Sequence, residues 1–172
     1  MPTDAMTIPL YTIGHSNHPI GYFLALLKAQ GIVLLCDVRT TPFSRFHPQY
    51  NQSALRKALE GAEVGYLYLG KSLGGKPKEP GLPAEGAARF ALLAGTETFC
   101  AGMAQLLTEA GARRTAIMCA ERDPASCHRT LLICPHIPAE FAVRHILADG
   151  SLREGAMSEQ SEATERWLPL SP

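Results

Sequence analysis

Between Cys119 and Arg129 the chain concentrates thiols, carboxylates, an imidazole and guanidinium groups: Cys119-Ala120-Glu121-Arg122-Asp123-Pro124-Ala125-Ser126-Cys127-His128-Arg129. Several chemistries compete for these side chains. A cysteine beside arginines at a helix start is biased toward its nucleophilic thiolate. A phosphatase- or rhodanese-type loop, however, needs an arginine six positions after the cysteine, and there Ala125 follows Cys119 and Ile133 follows Cys127. Both thiols are therefore expected to pack rather than react. Zinc would accept Cys119, Cys127 and His128 with His15 as a fourth ligand. Neighbouring residues on a helix point about 100° apart, which argues against Cys127 and His128 sharing one ion, and the chain has no Cys-x-x-Cys pair. No cofactor is expected, and a divalent metal is disfavoured.

Anion recognition joined to acid–base chemistry is the favoured reading. Arg39 follows an apolar run and Arg129 opens a helical one, where free N–H groups and the helix dipole attract negative charge. A guanidinium fork binds phosphate or carboxylate directionally. Gly14, Ser16 and Ser44 would lie close to such a ligand as small donors. Glu121 and Asp37 are the candidate base or nucleophile and charge stabiliser, and His15 or His128 would move a proton near neutrality. The competing reading is structural: Arg39 pairs with Asp37 or Glu121, and Glu121 with Arg122 or Arg129, to tie loops together. The set suits a hydrolase or group transferase for a phosphorylated or nucleotide-like substrate. The alternative is a non-catalytic module that senses nucleotide, nucleic acid, redox state or metal through the same pocket.

These groups sit where an alternating β/α pattern would gather them. Leu10–Ile13 reads as a strand ending at Gly14-His15-Ser16. Pro19 opens a helix with Ile20, Phe23, Leu24 and Leu27 on one face, closed by Gly31. Ile32–Cys36 is a continuous apolar run, as in a strand covered on both faces, and ends at Asp37-Val38-Arg39. After a loop (40–52) come a short helix capped by Ser53, a strand at Val64–Leu69 and a second loop (70–83) that lacks P-loop spacing. The stretch 84–95 is Ala-rich and helical, and Thr96 caps a clearer helix ending near Gly111. A strand at 115–120, a helix from Asp123-Pro124 to Cys134 and a strand at Val143–Leu147 complete the pattern. The expectation is a three-layer α/β domain over residues 10–150, with a mostly parallel sheet of about five strands. A flexible N-terminus (1–9) and a polar, mobile tail (151–172) flank it. In a parallel sheet the polar strand ends fall on one edge.

Acidic and basic residues balance at 16 each, so no global charge steers the chain toward nucleic acid or anionic lipid. Eleven of the basic residues are arginines, which suits recognition of a small anion. No run is long enough to span a bilayer, and no leader pattern is visible. A cytoplasmic protein with a small anionic partner is expected. The five cysteines (36, 100, 119, 127 and 134) suggest no disulfide framework.

The segments carrying these features resemble the domain-of-unknown-function 488 family. The resemblance rests on Thr12-Ile13-Gly14-His15-Ser16, Asp37-Val38-Arg39 with Pro42 and Ser44, Leu73-Gly74-Gly75, Met118-Cys119-Ala120-Glu121, Cys127-His128-Arg129 and His145-Ile146, over roughly residues 10–150. Two departures stand out: residues 84–95 lack an aromatic-rich pattern, and Pro135-His136-Ile137-Pro138 shortens the last helix. The resemblance implies the fold and the site candidates, and carries no established reaction.

Overall fold

The computed structural model describes residues 7–155, so the expectations for 1–6 and 156–172 lie outside them. Strand β1 (Ile8–Gly14) leads through helix α1 (Ile20–Ala29) to β2 (Leu34–Asp37), and α2 (Gln52–Gly61) leads to β3 (Gly65–Tyr68). The single turn α3 (Gly70–Leu73), α4 (Ala87–Ala94) and α5 (Glu97–Ala112) precede β4 (Thr115–Cys119), and β5 (Phe141–Ile146) and β6 (Leu152–Glu154) follow. The sheet order is β3-β2-β4-β1-β5-β6. All pairings are parallel except that of β5 with β6.

The expected three-layer α/β architecture is therefore present, with six strands. Alternation along the central strands divides the core in two. Tyr11, Ile13, Leu35, Ala116 and Met118 pack with Phe23 and Leu27 of α1 and Leu55 and Leu59 of α2. Leu10, Leu34, Cys36, Ile117 and Cys119 pack on the other face with Phe99, Met103 and Leu106 of α5. Gly31 ends the first helical segment at φ +64°, where a side chain would be strained. Thr96 caps α5 by accepting from the Phe99 amide (3.1 Å). Among the described residues no single helix is long and apolar enough to cross a membrane.

Several elements differ from the sequence expectation. Strand β6 begins inside the segment expected to be a mobile tail; its three residues are exposed, so no hydropathy pattern marks it. Strand β1 likewise starts at Ile8, within the segment expected to be flexible. Asn51, not Ser53, stands at the cap of α2, and its side chain accepts from the Ser44 amide instead (2.7 Å). Gly70–Leu73 forms α3 where a loop is expected.

The largest difference lies after β4, where a regular helix from 123 to 134 does not form. Asp123 caps a 3₁₀ turn over Pro124–Ser126, as the Asp-Pro pair predicts. Cys127 then becomes extended (φ −107°, ψ 143°). Arg129–Ile133 form a π-turn, closed by the Cys134 amide on the Arg129 carbonyl. Pro135 lacks an N–H, and its ring would clash with the carbonyl four residues back in an α-helix. The wider turn relieves that conflict.

Gly14, Asp37 and Cys119 end three adjacent strands: Gly14 pairs with Cys119, and Asp37 with Met118. The chain leaves β1 toward β2 but leaves β4 toward β5, in opposite directions across the sheet. A crevice opens where such connections diverge.

Candidate functional site

That crevice holds a cavity of about 830 Å³. His15, Arg39, Cys119, Glu121 and His128 line its floor side, while Thr40, Phe43, Ser44, His47 and Lys76 line it from the two loops. Its polar groups form two clusters, one continuous with each half of the core.

The first cluster is built on β1 and β2. Asp37 is wholly buried and Arg39 nearly so. Asp37 Oδ1 accepts from the Arg39 backbone N–H (3.1 Å) and Nε (2.9 Å). Its Oδ2 accepts from Arg39 Nη2 (2.7 Å) and the Tyr66 hydroxyl (2.8 Å). With both oxygens engaged, Asp37 acts as a clamp on Arg39, the structural arrangement weighed from sequence. Arg39 Nη1 lies 3.4 Å from His15 Nε2. The His15 Nδ1–H donates to the Ser16 carbonyl (2.8 Å), and its ring stacks on Tyr50 at 4.2 Å. Burial, reinforced by Arg39, lowers the His15 pKa to about 4. His15 is thus neutral near pH 7 and orients the guanidinium.

The second cluster joins β4 to the irregular turns. Glu121 Oε2 accepts from the thiols of Cys119 and Cys127, the latter at 3.2 Å. His128 Nδ1 lies 3.4 Å from Cys119 Sγ and 4.0 Å from Cys127 Sγ. The opposite ring nitrogen, Nε2, is 3.0 Å from the Val38 carbonyl. The His128 ring is also packed against Gly75, where a Cβ would come within 2.8 Å of the His128 Cβ. Donor atoms of Cys119, Glu121, Cys127 and His128 all lie within 4.8 Å of one another. The extended backbone at Cys127 removes the premise that Cys127 and His128 diverge on a helix. His15 belongs to the other cluster and is not a fourth member.

Electrostatics follow from this packing. Burial pushes the Glu121 pKa up, but hydrogen bonds from the two thiols outweigh it and hold the carboxyl below its usual range. The neighbouring Cys127 thiol, followed by burial, drives the Cys119 thiol well above the ordinary range. The arginines near the turn therefore do not make Cys119 a ready nucleophile. Burial lowers the His128 pKa, but its contacts with Cys119 and Glu121 reverse the balance and raise it.

Arg129 takes a different place from the one its sequence position suggested. It is wholly buried, beneath the cavity rather than in its lining. Its Nε donates to Thr12 Oγ1 (3.2 Å), and its Nη1 to the Glu121 carbonyl (2.9 Å). Thr12 Oγ1 in turn meets His145 Nδ1 at 2.7 Å. Arg129 thus fixes the Glu121 backbone. Gly14 is required beside it, because a Cβ there would fall 1.8 Å from the Glu121 carbonyl oxygen. Ser16 lines the cavity in a left-handed conformation (φ 49°). Ser44 lines it too, with its hydroxyl accepting from the His47 amide (2.9 Å).

The sequence reading missed Tyr50, Tyr66, His47, Lys76 and Arg89. The first two are ordinary aromatic core positions until the fold sets them against His15 and Asp37. Arg89 lay in a segment read only as helical. It is buried, and its guanidinium donates to the carbonyls of Gly75 (2.8 Å), Pro77 (2.7 Å) and Pro83 (2.6 Å), holding the loop before α4 beside the cavity.

A mostly parallel α/β sheet with its polar side chains gathered in a crevice at the carboxyl edge defines the general class. Within that class, the family model "Domain of unknown function DUF488" matches residues 19–134, more than half of the chain, and the protein belongs to this family. The match includes Asp37, Arg39, Cys119, Glu121, Cys127 and His128; Gly14, His15 and Ser16 fall before it. No curated protein and no solved structure matches the chain.

Proposed function

We propose that the protein is a small enzyme that hydrolyses, or transfers a group from, a phosphorylated or nucleotide-like substrate bound in the crevice. The observation that carries this reading is one cavity receiving a clamped guanidinium, Arg39, and a carboxylate, Glu121, from neighbouring strand ends. Arg39 would hold the substrate anion, with Lys76 supplying a second positive charge from the loop. Arg39 is already oriented by Asp37 and His15, so little side-chain freedom is lost on binding. Glu121 would accept the proton of an attacking water or hydroxyl group. The cavity is large enough for a nucleotide-sized ligand, and Phe43 offers an apolar wall.

The test is a thermal-shift screen with inorganic phosphate, nucleotides and sugar phosphates, since a ligand of the native state raises the melting temperature. Each hit is then incubated with the protein and product formation is followed. R39M is expected to lose the shift, and E121Q to keep it while losing turnover. If both variants stay folded and leave binding and turnover unchanged, the assignment is wrong. Stabilisation without product in the wild type would replace the enzyme reading with a nucleotide-sensing one.

A further inference from the structure

The side chains of Cys119, Glu121, Cys127 and His128 bring two sulfurs, a carboxylate oxygen and a ring nitrogen within 4.8 Å of one another. The Val38 carbonyl can only accept, so its contact with His128 Nε2 requires Nε2–H, and in the neutral ring Nδ1 then turns a lone pair toward the sulfurs. The thiol protons of Cys119 and Cys127 are both directed at Glu121 Oε2. The cluster therefore brings soft and hard donor atoms of metal-ligating type to one point. A divalent cation would satisfy all four at once.

We propose that Cys119, Cys127 and His128, with the Glu121 carboxylate as fourth donor, bind one zinc ion on the floor of the crevice. Zinc–ligand bonds of about 2.0–2.3 Å in a tetrahedron separate the donors by about 3.3–3.8 Å. The sulfur–nitrogen distances are 3.4 and 4.0 Å and the Cys127–Glu121 distance is 3.2 Å, whereas Glu121 Oε2 sits closer to Cys119 and would draw back by side-chain rotation as the ion replaces the thiol protons. Two thiolates and an imidazole select zinc over the hard cations magnesium and calcium. The supporting shell is also present: the Val38 carbonyl fixes the His128 tautomer and Gly75 fixes the ring. Cys127 is wholly buried beneath the site, whereas Cys119, Glu121 and His128 line the cavity. Glu121 is then the donor that water entering from the cavity would displace, leaving the two sulfurs and the imidazole as a three-ligand site. The inference stands on the donor geometry and does not depend on the hydrolase reading.

The experiment uses the full chain, stripped with chelator under reducing conditions and titrated with zinc against a chromophoric competitor. One equivalent is expected. C119S, C127S and H128Q should each weaken binding more than about 100-fold, beyond the usual cost of losing a supporting contact. C100S should bind like the wild type, and E121Q should retain the ion with a smaller loss. Cobalt(II) bound to the wild type should show intense tetrahedral bands and thiolate charge transfer. Because Cys127 is buried and its variant is vulnerable to misfolding, a wild-type measurement runs in parallel. Zinc should protect Cys119 and Cys127, but not Cys100, from a thiol reagent, with the sites mapped by mass spectrometry. Absence of saturable binding by the wild type, unchanged affinity in folded C119S and H128Q, or a cobalt spectrum without thiolate bands would overturn the proposal. Bound zinc without catalytic turnover would leave the metal site standing and remove only the enzyme reading.

Discussion

Removing Asp37 tests whether this carboxylate is a clamp or a participant in proton transfer. D37A leaves the nearly buried Arg39 guanidinium without its counter-charge, a change that typically costs about 3–5 kcal/mol. Such a loss is a large fraction of an ordinary domain's stability. R39A strands Asp37 and its Tyr66 contact and should cost a similar amount. The double variant D37A/R39A should cost clearly less than the two losses added, because no unpaired charge remains. D37L/R39M should return close to wild-type stability, since well-packed apolar groups can replace a buried pair without loss. Urea unfolding with unchanged slope is the assay, and phosphate binding is measured beside it. The stable D37L/R39M protein should not bind phosphate, separating folding from recognition. If D37A cost less than about 1 kcal/mol, as for an exposed ion pair, the clamp would be refuted. A stable D37N variant that kept phosphate binding but lost turnover would return Asp37 to an acid–base role.

Three further outcomes follow from the same geometry. The His15 pKa, lowered from 6.5 to about 4, makes the folded state resist protonation, so stability falls as the pH drops through that window by roughly 3 kcal/mol and then levels off. H15Q should flatten that part of a pH–stability curve measured by urea unfolding; an unchanged acid limb would count against a buried neutral ring. G14A should destabilise by about 3 kcal/mol or more, because its methyl group meets the Glu121 backbone rather than a flexible side chain; a melting temperature within error of wild type would contradict that approach. R89A should release the 75–84 loop and cost about 2 kcal/mol or more through its lost charge-assisted bonds. Faster limited proteolysis within 77–83 checks this, and wild-type digestion rates would show that other contacts hold the loop.

Apolar runs and helical spacing were enough to place the central strands and α1, α2 and α5, and with them the edge where the polar residues meet. Pairing partners and backbone detail were less legible. Cys127 and His128 converge because the chain is extended between two unlike turns, a conformation forced jointly by Pro124, Pro135 and the packing of Leu132 and Ile133. Helical periodicity alone instead drives those neighbours apart. Arg129 looked like an anion ligand because it opens an apolar helical run, yet the fold covers it and gives it the Glu121 carbonyl. Asp37 and Arg39 were legible as neighbours, but the Tyr66 hydroxyl that joins Arg39 at Asp37 Oδ2 comes from the next strand. Strand β6 carries no apolar face, so only its ladder with β5 reveals it.

The position of β4 has a consequence for synthesis. It lies between β1 and β2, although both precede it in the chain, and Leu10 and Leu34 both face Thr115 in register. While the ribosome makes the first hundred or so residues, the edges of β1 and β2 that will receive β4 remain unpaired. The sheet then closes by insertion of a late strand, a non-local event that slows folding and prolongs exposure of sticky edges. Gly14, Asp37 and Cys119 consequently meet only once β4 is in place. Nascent chains released before β4 should aggregate, whereas chains extending past β5 should become protease-resistant together with the whole sheet.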